Sequence, residues 1–286
     1  MSLADRSDRP TDAAGLVVSP ILVLSDLHLA HPATYATRIE AIAPLLDGVR
    51  TVVFNGDAGE LLHYKHRYPA REQLARLCDL CIEQGARPLF LTGNHDPVIS
   101  SLHYLPLFGG KVALTHGDVF HPWLAPWARD AVHLKRERRR LLARRAAPED
   151  WQGVLELCKE IGTVASRYDA KGKKGIVARL LMVGKFAVQP WRVFQALHYW
   201  SNVVHYAHAL QEQFFPEAKL LVAGHTHRAG VWHLPTFTLV NTGSYQPLSQ
   251  ALAVRLADGV ARVFKVETSA REFRLGDEIH HMRWEG

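Results

Sequence analysis

Cysteine is scarce, with three residues in 286, and an odd number cannot build the paired framework of a disulfide-stapled fold. Cys78 and Cys81 fall in register with Leu74 and Leu77 on one helical face, and no second CxxC accompanies them, so packing accounts for them better than a zinc or redox site. Long apolar runs are missing too. The most membrane-like stretch, residues 176–188, contains Arg179 and Lys185 and stops well short of the ~20 residues that a spanning helix needs. The opening residues lack the apolar segment of a secretory signal, so residues 1–18 are expected to be a disordered tail and the chain to work in a reducing, cytoplasmic compartment. Net charge is small for the length, +6, and residues 135–145 hold seven basic side chains against one acidic, which accounts for the excess. The remainder is balanced, and 48% hydrophobic residues with 22% charged exclude a disordered or fibrous class.

What is present is histidine, 17 copies, placed with a pattern. Five short apolar runs end abruptly in polar, metal-competent residues. Residues 21–24 lead into Ser25-Asp26-Leu27-His28, and 51–54 into Asn55-Gly56-Asp57. Residues 88–91 lead into Thr92-Gly93-Asn94-His95-Asp96, 111–114 into Thr115-His116-Gly117-Asp118, and 219–223 into Gly224-His225-Thr226-His227. Runs without alternation predict strands buried on both faces. A helix is predicted over 70–84 with Gly85 as its stop. Strands alternating with helices predict a largely parallel α/β core whose site lies beyond the carboxyl ends of the strands, where every cluster stands. Residues 231–245, 251–255 and 260–266 read as strands completing a second sheet. Residues 271–286 read as a polar C-terminal tail.

Residues 121–215 differ, with helical periodicity and five of the seven tryptophans (Trp123, Trp127, Trp151, Trp191, Trp200). They read as a helical insertion, a lid or substrate-recognition region. In it, Trp127, Ala131, Leu134 and Leu141 form an apolar seam amid Arg136, Arg138, Arg139, Arg140, Arg144 and Arg145. Such a basic amphipathic helix suits an anionic lipid surface or phosphates, with packing on its own domain as the plain alternative. The basic loop 171–175 precedes the apolar stretch, and together they favour an amphiphilic, phosphate-bearing ligand over nucleic acid. His198, His205 and His208 recur along one helix with Tyr199 and Tyr206, a pattern of packing rather than metal binding.

Asp26 and His28, like His225 and His227, are two residues apart, and an extended backbone would point both to one side. Alone, either pair is a weak signal. All five clusters in order, Asp26-x-His28, Gly56-Asp57-x-x-Glu60, Gly93-Asn94-His95-Asp96, His116-Gly117-Asp118 and Gly224-His225-x-His227, resemble the signature of the calcineurin-like metallophosphoesterases. The resemblance implies a four-layer αββα sandwich, its core built from residues 19–120 and 216–270. It also implies a two-metal site, with Asp26, His28 and His227 on one ion, Asn94, His116 and His225 on the other, and Asp57 bridging. Oxygen and imidazole donors without thiolate suit Mn²⁺, the first expectation, and equally Fe, Zn²⁺, Ni²⁺ or Co²⁺.

The implied reaction is attack of a metal-bridging hydroxide on phosphorus, with His95 protonating the leaving oxygen, Glu60 orienting His95, and Asp96 and Asp118 accepting from histidine N–H groups. His63 and His66, on the loop after Glu60, and Arg138 in the insertion are expected substrate contacts. Within the family, Ser25–Leu29, the GDxxE form, Gly224–Arg228 and the insertion look most like UDP-2,3-diacylglucosamine diphosphatases, which implies a lipid-linked nucleotide substrate and contact with the inner membrane face. Phosphoprotein phosphatase, cyclic-nucleotide phosphodiesterase and nuclease stand as alternatives, as does an inactive scaffold that binds a protein or lipid.

Overall fold

The structure, a computed structural model, describes residues 15–121, 131–144, 151–169, 190–269 and 272–284. Trp123, Trp127, Arg145, the basic loop 171–175 and the apolar stretch 176–188 lie outside them.

Two sheets face each other. The first has the order β11-β10-β9-β1-β2-β3 and the second β4-β5-β6-β8-β7. The strands are β1 (Ile21–Leu24), β2 (Thr51–Asn55), β3 (Arg87–Leu91), β4 (Tyr104–Leu107), β5 (Val112–Thr115), β6 (Leu220–Ala223), β7 (Gly230–His233), β8 (Thr238–Asn241), β9 (Leu252–Ala257), β10 (Val260–Thr268) and β11 (Phe273–Arg283). β1, β2 and β3 run parallel, as do β5, β6 and β8, so their carboxyl ends gather at one rim of each sheet.

The period of two along each strand sorts the side chains into three cores. From β1, Ile21 and Val23 point between the sheets, while Leu22 and Leu24 point to the outer face of the first sheet. There the 3₁₀ segment Ile39–Leu46 and helix α1 (Arg67–Glu83) cover them. From β6, Leu220 and Val222 join the central core, and Leu221 and Ala223 face outward. Helices α2 (Ala131–Leu142), α3 (Trp151–Asp169) and α4 (Pro190–Phe214) cover that outer face with Leu134, Leu155, Ile161, Tyr199 and Val203. This is the αββα sandwich, and the inserted helices are its fourth layer. Tyr199 is buried there with Tyr206 stacked on it and His121 meeting it edge-on, a packing role.

Three expectations need correction. Gly15–Val18 are not a free tail: Val17 is fully buried in the central core, and the Val18 N–H donates to Thr51 Oγ1 at 2.9 Å. The strands after β8 do not complete the second sheet, because β9 pairs antiparallel with β1 and returns the chain to the first. Nor are residues 271–286 a polar tail. Phe273–Arg283 form β11, an eleven-residue edge strand paired to β10. Phe273 is 2% exposed and meets the Tyr245 ring edge-on at 5.1 Å. Phe273→Ala is therefore expected to cost about 3–5 kcal/mol in urea unfolding; a loss below about 1 kcal/mol would mean that β11 is not anchored there.

Candidate metal centre

The five clusters meet at the rim where the carboxyl ends of both sheets converge. Asn55, the last residue of β2, spans the gap: its Nδ2 donates to the Thr115 carbonyl (2.9 Å) and to the Val222 carbonyl (3.2 Å) of the other sheet. Asp26, His28, Asp57, His225 and His227 all have positive φ, between 49° and 67°. Their pairs thus share a side not because the backbone is extended, as the spacing predicts, but because each residue turns left-handed as its strand ends. Such conformations cost ~1–3 kcal/mol each and gather where a site demands them. Glycine answers the crowding: a Cβ at Gly93 would collide with the carboxylate of Asp57, and one at Gly224 with that of Asp26.

In one group, Asp26 Oδ1 lies 3.3 Å from His227 Nε2 and 3.8 Å from His28 Nε2, and the two Nε2 atoms are 3.1 Å apart. Atoms bound at ~2.0–2.2 Å to one ion stand roughly 3.0–3.5 Å from each other, so these three could hold an ion between them with small adjustment. In a second group, ligand atoms of Asp57, His116 and His225 lie within 4.8 Å of one another. Asp57 Oδ2 stands between the groups, 3.2 Å from His116 Nε2 and 3.9 Å from His28 Nε2. Among the described residues, Asn94 Oδ1 is buried with no hydrogen-bond partner, and His116 Nε2 makes no well-formed hydrogen bond, with only the Asp57 carboxylate 3.2 Å away. Orphaned donors and acceptors of this kind are rare in a settled interior and fit a coordinated cation.

The surrounding bonds select which histidine nitrogen is free. His116 gives its Nδ1 to the Asn55 carbonyl at 3.0 Å, which turns Nε2 inward. Glu60 takes two histidines: Oε1 meets His28 Nδ1 at 2.9 Å and Oε2 meets His95 Nδ1 at 3.0 Å. This exceeds the expected role, since the same carboxylate orients a candidate ligand and the candidate acid. Bonds of this type fix tautomer and ring direction. His95 is 42% exposed at the mouth, its N–H bonded to Asp57 Oδ1 at 2.8 Å.

The electrostatics follow from many carboxylates in little space. Burial would raise the Asp57 and Glu60 carboxyls, yet His116 and His95 hold them well below the usual range. Burial would lower His116, but Asp57 and Asp26 lift it to about 10. Burial and the neighbouring His116 bring His225 down to about 4.

The sequence suggests that Asp96 accepts from a histidine N–H, but among the described residues it does not. Its carboxylate takes the backbone N–H groups of Asp57, Ala58, Gly59 and Gly93 at 2.6–3.3 Å, lacing two ligand loops together. Asp118 pairs with Lys159 of α3 at 3.1 Å. His63 and His66 stack at 4.3 Å on the loop that leads into α1, where burial and the neighbouring His63 push the His66 imidazole down. Arg138 is half-buried in α2, and its charge reaches His121. His31, which sequence reasoning passed over, has its ring 6.0 Å from that of His28. The DxH spacing does not flag it.

Residues 19–229 match the calcineurin-like phosphoesterase family. The chain belongs to it. No curated protein is significantly similar in sequence. Among solved structures, a dimetal phosphatase from Danio rerio is 10% identical, with 93% of this chain and 98% of that one covered and a TM-score of 0.46. A predicted phosphoesterase from Streptococcus pneumoniae TIGR4 is 17% identical over 92% and 96%, with a TM-score of 0.39. The zinc complex of Vps29 from Entamoeba histolytica is 14% identical over 93% and 99%, also at 0.39. Such distant likeness says nothing of substrate or activity. Among the described residues, no helix is long and apolar enough to cross a membrane.

Proposed function

We propose that this family member is a binuclear metal-dependent phosphoesterase. The observation that carries the reading is a single buried oxygen, Asp57 Oδ2, which lies 3.9 Å from His28 Nε2 of one ligand group and 3.2 Å from His116 Nε2 of the other. Asp26, His28 and His227 would hold one divalent ion and Asn94, His116 and His225 the other, with Asp57 between them. When bound, the pair supplies Lewis acidity toward water and toward a phosphoryl group.

The rest falls to the chain. Glu60 fixes His95 through Nδ1, leaving Nε2 as the nitrogen that can give a proton to a departing oxygen. The same carboxylate keeps His28 in the tautomer that presents Nε2. His63 and His66, on the loop after Glu60, would contact the substrate.

The finer reading is an amphiphilic substrate, such as a lipid-linked nucleotide sugar. Phe194 (73% exposed) and Leu197 on α4, with Val132 on the arginine-rich α2, support it by offering apolar contact on the same layer as the positive charge. The test is hydrolysis of p-nitrophenyl phosphate, bis-p-nitrophenyl phosphate and the UDP-sugar lipid, with Mn²⁺ and after chelation. Hydrolysis that disappears on chelation and returns with Mn²⁺ is expected; turnover indifferent to chelation would overturn the metal reading. UMP release from the lipid is expected, and its absence beside activity on simple esters would remove the lipid substrate alone.

A further inference from the structure

Helix α3 carries a lysine where a helix packed on a sheet ordinarily carries a hydrophobe. Lys159 follows Cys158 in the apolar layer between the helices and the second sheet, and it is 8% exposed. Lysine is almost never so buried without partners. Its Nζ donates to the Thr92 carbonyl at 3.0 Å and to Asp118 Oδ2 at 3.1 Å. Thr92 immediately precedes Gly93 and Asn94, and Asp118 stands two residues after His116. Thr92 is held from another side as well, its Oγ1 against His103 Nδ1 at 2.7 Å. One ammonium thus grips the two loops that carry Asn94 and His116, and among the described residues it makes no hydrogen bond to the loops of Asp26, His28 or His227.

A buried ion pair is a poor way to gain stability, because desolvation cancels most of the attraction and an apolar pair of similar volume often does better. What the pair does supply is direction: it fixes where a carbonyl and a carboxylate stand, and hence where the chain leaves β3 and β5. We infer that Lys159 is a positioning residue for the second ion alone, so that filling of the Asn94–His116–His225 position depends on α3 being seated. This rests on the binuclear reading above.

The experiment is Mn²⁺ titration of the full chain by calorimetry, with metal content after desalting and thermal unfolding read alongside. The variants are Lys159→Met and Lys159→Met/Asp118→Asn, the second removing both charges so that no carboxylate is stranded. Wild type is expected to bind two ions. Both variants are expected to keep one at wild-type affinity and to bind the other ~10–100-fold more weakly, the usual cost of removing an outer support of a ligand. Activity should recover as Mn²⁺ is raised.

Wild type without two ions would sink the binuclear reading itself. Two ions in wild type, with both or neither weakened in the double variant, would overturn the role of Lys159 and leave the centre standing. A double variant that does not fold would also overturn it, by making the lysine a structural residue.

Discussion

Asp57→Asn is expected to lower hydrolysis of p-nitrophenyl phosphate at saturating Mn²⁺ by about 10³-fold, with the fold intact. Bridging requires an oxygen that carries negative charge, and a neutral amide offers one weak donor atom in its place. The loss of several kcal/mol of charge stabilisation corresponds to a rate factor of this size. The variant keeps what is merely structural, because one amide oxygen can still accept the His95 N–H that Oδ1 takes at 2.8 Å. The four backbone bonds to Asp96 involve only main chain and Asp96 itself, and they too survive. Circular dichroism should be unchanged, and metal content should fall below two ions per chain. Turnover within about tenfold of wild type would mean that Asp57 bridges nothing.

His95→Ala separates the acid from the ligands. An acid matters in proportion to how badly the leaving oxygen needs a proton. The variant is expected to lose about 10²–10³-fold on an alkyl phosphate and much less on p-nitrophenyl phosphate, whose leaving group departs as an anion. Metal content should stay at two, because His95 lies outside the proposed ligand set. Equal losses on both esters would deny it the role of acid. Loss of an ion would instead place it among the ligands, a possibility its closeness to His28 and Asp57 makes worth measuring.

The parts of this molecule that are legible in the sequence are those where a short-range rule dominates. Strands buried on both faces read as unbroken apolar runs, and β1 emerges at Ile21–Leu24 as the run dictates. The candidate ligand residues are legible because each stands at or just beyond the end of such a run. β11 is hidden because it is an edge strand with one wet face: Phe273 points inward while charged residues and Gly276 interrupt the pattern. β4 is hidden by Pro106, which an edge position tolerates. The return of β9 to the first sheet is a matter of pairing partner, which no local pattern encodes.

The left-handed turns at Asp26, His28, His225 and His227 escape notice because positive φ is uncommon for any residue but glycine, and although aspartate and histidine tolerate it better than most, no local pattern marks it here. Lys159 escapes for a different reason. Its partners lie 41 and 67 residues away in the chain, and a lone lysine on a helix ordinarily reads as a solvated one.

The most direct test is an anomalous-scattering map of crystals grown with Mn²⁺. Two peaks per chain are expected, one bounded by Asp26, His28 and His227, the other by Asn94, His116 and His225, with the Asp57 carboxylate touching both. A single peak, or peaks that leave Asp57 without a metal contact, would contradict the binuclear centre.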